Sequence, residues 1–287
     1  MNKLSRKISR TVSGTSSRIK SIKNSKNRNS NYHNKPINIL SYNVSWESTS
    51  GQDSKWPLCS NNTNPNSPKH FSVCVNNIAS VFDNPEYELD FITLQEAKNY
   101  KNLIKQSQKL KKMKYELHKS GLDVIATFWN DHVSGHKMLY TIKGEFEKGR
   151  PWMATVFNSG ICLINVHFGH YNKNDEYSKM EKMLIEIKEE INKRRFSKKV
   201  KNYRYIISGD FNYDIKEFGD LNNIIKINET DFYYHPRHIL TCCIKRRRHN
   251  DHVIDSMARP IDIIIPEVKY MASDHKPILV KLVKLVI

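Results

Sequence analysis

Ile206-Ile207-Ser208-Gly209-Asp210-Phe211-Asn212 is the stretch on which the fold of this chain turns. Two β-branched residues after Tyr205 predict a buried strand. Ser208-Gly209 breaks it, and a carboxylate and a carboxamide follow two apart, Asp210 and Asn212. Polar groups leaving the end of a buried strand cost free energy unless something polar meets them. A metal ion, a bound water or a phosphate would each meet that demand. The pattern recurs: Asn43, Glu96, His167, Asp262, Asp274 and His275 each sit at or just past the end of an apolar run.

Outward from that stretch, further strands are predicted at Ile37–Asn43, Asp90–Leu94, Leu122–Trp129, Met138–Ile142, Trp152–Phe157, Ile161–Val166, Ile261–Ile265 and Pro277–Ile287. Helical spacing marks Phe71–Phe82, Lys98–Lys114 and Asn174–Phe196, the last with Met180, Met183, Leu184, Ile187 and Ile191 as its stripe. Ser45–Lys69 reads as a long irregular loop, and Glu229–His252 gives no clear pattern. Strands outnumber helices, the helices are interspersed, and no internal repeat is visible. A single α/β domain of two stacked sheets covered by helices accommodates this order.

The chemistry follows from donor types. Glu96, Asp210 and Asp274 are hard oxygen donors and Asn43 a neutral one, the set magnesium takes alongside water and substrate phosphate. His167 and His275 hold or donate protons near neutrality. Asp262, in Pro260-Ile261-Asp262-Ile263, has the setting of an acid that orients an imidazole.

Ser41-Tyr42-Asn43, Leu94-Gln95-Glu96, Asn165-Val166-His167, Gly209-Asp210-Phe211-Asn212, Ile261-Asp262-Ile263 and Ser273-Asp274-His275, in this order, resemble the motifs of the endonuclease/exonuclease/phosphatase superfamily. The resemblance covers all but the N-terminal tail. It implies a four-layer αββα sandwich of two mixed β-sheets flanked by helices, DNase I-like. It also implies Mg²⁺- or Mn²⁺-dependent hydrolysis of a phosphate ester, with Glu96, Asn43 and Asp274 at the metal. Asp210 would activate water beside Asn212; His275, oriented by Asp262, and His167 would contact the scissile phosphate. A nuclease acting on DNA or RNA leads. A phosphatase of inositol phosphates, phosphoinositides or another small phosphate ester stands as the alternative. An inactive nucleic-acid-binding protein on the same fold is the non-enzyme alternative. Ser45 stands where abasic-site endonucleases carry an acid, and no Trp-Cys-Asp-Arg signature of the inositol 5-phosphatases surrounds Asp262.

Charge points the same way. The net charge is +18, and residues 1–40 alone hold ten Lys and Arg and no acid. Such a balance favours a polyanionic partner: nucleic acid, an anionic membrane surface or a phosphorylated small molecule. Residues 1–35, poor in core formers, are expected to be a disordered basic tail preceding a domain over 36–287. The tail fits a solubilising segment, a nucleic-acid-binding arm or an organelle presequence. Lys245, Arg246, Arg247 and Arg248 form a second basic run suited to backbone phosphates or to solvent. No apolar run approaches the ~20 residues of a membrane span. Five cysteines without metal-ligand spacing are expected as reduced thiols in an intracellular, soluble monomer, of nucleus, cytoplasm or virion. Heavy use of Asn, Lys and Ile fits an AT-rich genome, such as that of a large DNA virus or a protist.

Overall fold

The computed structural model describes residues 35–50, 68–170, 173–194, 203–213, 233–235, 240–242, 249–257, 261–268 and 272–284. The basic run 245–248, the tail 1–34 and most of the loop after residue 50 lie outside them. Twelve strands are described: β1 Ile37–Asn43, β2 Phe91–Gln95, β3 Lys114–Ser120, β4 Asp123–Trp129, β5 Met138–Glu147, β6 Arg150–Phe157, β7 Ile161–His167, β8 Arg204–Asp210, β9 Tyr233–His235, β10 Asp251–Asp255, β11 Asp262–Ile264 and β12 Ile278–Leu282. The helices described are α1 Trp46–Ser50, α2 Pro68–Asp83, α3 Tyr100–Gln106, α4 Gln108–Lys112, α5 Asp131–Ser134 and α6 Lys173–Lys193.

The strands form two six-stranded sheets, ordered β11-β12-β1-β2-β4-β3 and β5-β6-β7-β8-β10-β9. Each has one parallel pair at its centre, β1 with β2 and β7 with β8, and antiparallel partners outside it. A parallel pair needs a crossover. α2 lies in the first and α6 in the second. The mixed two-sheet α/β architecture expected above is the one found.

Burial follows the period of two along each strand. Leu40, Tyr42, Ile92 and Leu94 face a helical layer with Val75, Ile78 and Phe82 of α2, Leu103 and Leu110. Cys162, Ile164, Val166 and Ile207 face α6 through Met180, Met183, Leu184, Ile187 and Ile191. The alternate residues meet between the sheets, where Ile37, Ile39, Phe91, Ile161, Leu163, Ile206 and Val280 form one apolar cluster.

That inner face changes character along the strands. Beyond the apolar cluster, Thr93 Oγ1 and Ser208 Oγ share a hydrogen bond of 2.7 Å across the sheets. One step further, Gln95 Nε2 donates to Asn165 Oδ1 at 2.8 Å. Asn165 Nδ2 in turn donates to the carbonyls of Ala126 (2.9 Å) and Leu94 (3.2 Å). The last rung joins Asn43 to Asp210. Paired polar groups of this kind avoid the penalty of unmet burial. They carry the chain from an oily interior to an ionised edge in three steps.

Several expectations change: the loop expected over Ser45–Lys69 contains α1 and the first residues of α2. The single helix expected over Lys98–Lys114 is two short helices with a bend at Ser107, whose Oγ accepts the Leu110 N–H at 3.0 Å and caps α4. Lys114 opens β3, an exposed strand whose lysines gave no apolar alternation. Cys74 and Cys242 are each held in a disulfide, so among the described residues only Cys162 is the free, buried thiol expected.

Candidate active site

Strand polarity explains which residues meet. The parallel strands β1, β2, β7 and β8 deliver Asn43, Glu96, His167 and Asp210 at or just past their C-terminal ends. Their antiparallel neighbours reach the same edge with their N-terminal ends. Asp251 at the start of β10 stands opposite Asp210 in register. Asp123 opens β4, Arg150 opens β6, and Asp274-His275 precede β12.

Asp210 is the hub. Its side chain is 1% exposed. Oδ2 accepts from Asn43 Nδ2 at 2.9 Å and lies 3.5 Å from His167 Nε2 and 3.6 Å from His275 Nε2. Oδ1 accepts the backbone N–H of Asn212 at 2.8 Å. Burial alone would raise the Asp210 pKa. The His275 and His167 charges and the two asparagine hydrogen bonds outweigh it, so the carboxyl sits below its usual range. Asn43 Nδ2 also donates to Glu96 Oε1 at 3.1 Å, and Glu96 Oε2 accepts the Trp46 N–H at 3.1 Å. One carboxamide thereby spaces two carboxylates.

Each imidazole has its own acid. His275 Nδ1 is 2.8 Å from Asp251 Oδ2, and His167 Nδ1 is 2.6 Å from Asp123 Oδ2. Burial works against the charged form of both rings. Asp251 and Asp210 overcome it at His275, lifting that pKa well above the ordinary value, and Asp123 with Asp210 and Glu96 lifts His167. Asp251 is itself pushed up to about 6, by burial first and then by Asp210. The cluster holds two acids for the one His275 imidazole, so both directions are consistent. His167 Nε2 also lies 2.7 Å from Arg150 Nη1. Neutral His167 accepts that contact; the imidazolium form would need an anion between the two cations.

Three residues with φ in the left-handed region support the site: Ser45 at 53°, Glu96 at 56° and Asn212 at 54°. Non-glycine residues occur there at a cost and collect at functional positions. Asn212 is held by Nδ2 donating to the Phe168 carbonyl at 2.8 Å. Gly209 is required by close approach, since a Cβ there would lie 2.0 Å from the Val166 carbonyl oxygen.

Asn43, Glu96, His167, Asp210, Asn212, Asp274 and His275 are therefore gathered at one edge. Asp262 is not among them. It lies in the edge strand β11, about half exposed, with Lys281 Nζ 3.2 Å from its Oδ2. Its apolar neighbours suggested a buried acid, but an edge strand leaves that side in solvent. Asp251 holds His275 in its stead. Asp251, Asp123 and Arg150 carry no such signal in the sequence, because each begins a strand instead of following an apolar run.

Burial raises the Asp274 pKa, and the negative charges of Glu96 and Asp210 raise it further. Three acids repelling one another at a half-open edge fit a divalent cation, with Glu96 and Asp274 as candidate oxygen donors. The Oδ1 of Asn43, also expected at the metal, accepts the Ser45 N–H at 3.0 Å, and Asp210, Asp251 and His275 converge within 4.8 Å. Cys242, Asp274 and His275 also converge within 4.8 Å. The disulfide leaves Cys242 no thiolate, the form that ligates metal.

No family model matches the chain. Over 260 residues it is 31% identical to the uncharacterized protein L684 of Acanthamoeba polyphaga mimivirus, a match taking in 86% of this chain. The chain spans about half the length of that relative, 50%. Among solved structures it is similar to ANGEL2, a 2′,3′-cyclic phosphatase crystallised with adenosine-2′,3′-vanadate. That likeness has a TM-score of 0.62 at 14% identity over 88% of this chain and 97% of the other. It is also similar to the endonuclease/exonuclease/phosphatase of Bacteroides vulgatus, with a TM-score of 0.60 at 13% identity over 86% and 98% of the two chains. The fold is that of the DNase I-like endonuclease/exonuclease/phosphatase proteins.

Proposed function

We propose that this chain, on its DNase I-like scaffold, is a divalent-metal-dependent phosphodiesterase that cleaves nucleic acid, DNA or RNA, by an activated water. The observation that carries the reading is the convergence on Asp210 Oδ2 of Asn43 and two acid-backed imidazoles, with Glu96 on the same carboxamide. The ANGEL2 neighbour's phosphatase activity, and the adenosine compound bound to it, also support a phosphoester substrate.

The roles follow from charge and reach. Glu96 and Asp274 would hold Mg²⁺ or Mn²⁺, which supplies neutralisation of the phosphate oxygens. Asp210, kept ionised at neutral pH, orients the attacking water and takes its proton. His275 with its raised pKa is protonated and donates toward the phosphate or the departing oxygen. Arg150 and His167 receive a non-bridging oxygen between them, the anion that their 2.7 Å contact calls for once the ring is protonated. Preorganised donors of this kind are the main contribution a protein makes to phosphoryl transfer. Asn212 fixes the Asp210 carboxylate through its backbone N–H.

The domain over residues 36–287 is proposed to carry this activity and the basic tail to add affinity for polyanions. The test is hydrolysis of single- and double-stranded DNA, RNA and inositol phosphates with Mg²⁺ or EDTA. Metal-dependent cleavage of a polynucleotide is expected, and loss of about 10³-fold or more in Asp210→Asn. Equal rates in the two proteins would remove the assignment. Turnover of inositol phosphates alone would transfer it to the phosphatase class.

A further inference from the structure

Two exposed apolar side chains flank Glu96. Trp46 opens α1 three residues past Asn43 and is 38% exposed. Leu122, in the turn between β3 and β4, is 79% exposed and directly precedes Asp123. The sheet order β1-β2-β4 sets Glu96, just past β2, between the ends that carry them. The Ala97 N–H donates to the Val124 carbonyl at 2.7 Å, tying that hairpin to the Glu96 segment.

An exposed Trp or Leu by itself needs no explanation. The short helix α1, however, is inverted relative to an ordinary surface helix. Ser48 and Thr49 are buried at 7% and 0%, while the indole is left outside. Its position is fixed by the backbone: Ser45, immediately before it, is held at φ 53°, and the Trp46 N–H is spent on Glu96 Oε2. The exposed Lys98, two residues past Glu96, sets Nζ 5.5 Å from the indole centroid. An aromatic face and an exposed lysine thus border the carboxylate that would face the scissile phosphate.

Resting on the phosphodiesterase reading above, we infer that Trp46 is the stacking platform for the nucleobase next to the scissile phosphate. Lys98 leaves the indole for the flanking phosphate when substrate binds, so the substrate is a single-stranded polynucleotide or an unpaired end. An indole face recognises a π-face, which an inositol ring and a lipid headgroup lack. A base inside a duplex is already stacked on its neighbours, so only an unpaired base reaches the indole without an added unstacking cost.

The test compares wild type, Trp46→Phe and Trp46→Ala on single-stranded DNA and RNA oligonucleotides, and on the same DNA made abasic at the flanking nucleotide. Wild type is expected to prefer the intact strand about 10- to 100-fold in kcat/KM, chiefly through KM. Trp46→Phe should keep most of that preference and Trp46→Ala reduce the ratio to near one. The same ratio in all three proteins overturns the inference, as does a wild type that cleaves duplex DNA faster than single strands. A wild type that hydrolyses inositol phosphates and no oligonucleotide overturns both the inference and the nucleic-acid reading, leaving only a metal-dependent phosphatase. A wild type with no phosphoester activity fails that reading instead. Titrating a short oligonucleotide into Asp210→Asn provides a readout independent of turnover, with tryptophan quenching expected and lost when Trp46→Phe is added. Comparison of the DNA and RNA arms identifies the sugar.

Discussion

Asp251 and Asp123 give the two histidines unlike surroundings. His275 lies between the buried Asp251 and Asp210, whereas Nε2 of His167 meets a guanidinium. Asp251→Asn keeps the shape but removes the charge that opposes burial at His275. The raised pKa keeps His275 protonated above its ordinary value of about 6.5; the variant loses that proton at lower pH. The alkaline limb of kcat/KM against pH should therefore move toward acid, with about a 10²–10⁴-fold loss at neutral pH. On the proposed roles the acid limb belongs to Asp210, whose lowered pKa keeps it ionised below the usual carboxylate range. An unmoved alkaline limb would detach Asp251 from the chemistry. At this scale the sequence was legible where a polar residue ended an apolar run: Asn43, Glu96, His167 and Asp210 all reach the shared edge. Asp251 was hidden because it begins its strand beside a stretch without pattern. Asp262 misled because hydrophobic neighbours do not reveal whether a strand is central or at an edge.

Elements were legible in proportion to their amphipathic contrast. The stripe Met180, Met183, Leu184, Ile187 and Ile191 of α6 packs on the second sheet as its spacing requires. Ile187 is fully buried there, so Ile187→Ala should cost about 2–5 kcal/mol in urea unfolding. The break between α3 and α4 was missed because Ser107 stands among Lys and Gln residues that favour a continuous helix. Its hydroxyl donates to Asp83 Oδ1 at 2.7 Å, and Asp83 also accepts the N–H groups of Gln108 (2.9 Å) and Lys109 (2.8 Å). A side chain 24 positions upstream thus shares in capping the helix, which no local window contains. Ser107→Ala should lower stability by about 1 kcal/mol, with no change in kcat if the cap serves packing alone.

At the scale of the molecule, the two sheets repeat one arrangement: a central parallel pair, its crossover, and antiparallel strands outside. Neither sheet owns the site. Asn43 and Glu96 come from one, His167, Asp210 and Asp251 from the other, so the geometry depends on how the sheets are stacked. A cation held by Glu96 and Asp274 would relieve the repulsion among the acids and raise the melting temperature. Mg²⁺ at 100 times its dissociation constant should add about 2.7 kcal/mol of stability, absent in Glu96→Gln; a Tm insensitive to Mg²⁺ and Mn²⁺ would speak against the site. Deleting residues 1–35 should flatten the dependence of polynucleotide affinity on salt, since each phosphate contact contributes a slope of roughly 0.7–0.9 in log K against log salt. That tail and the basic run 245–248 were legible as charge, which needs no fold to be counted.

The placement of β12 carries a consequence for synthesis. This strand, Ile278–Leu282, lies second from the edge of the first sheet, between β11 and β1, the earliest strand described. A ribosome makes these partners more than two hundred residues apart, with Asp274 and His275 emerging just before the later one. Until β12 has been made, β1 lacks its antiparallel partner and the proposed site lacks Asp274 and His275. On the proposed roles, a chain stopped before residue 274 should lack the His275–Asp210 approach, because β8 would meet no partner from that segment.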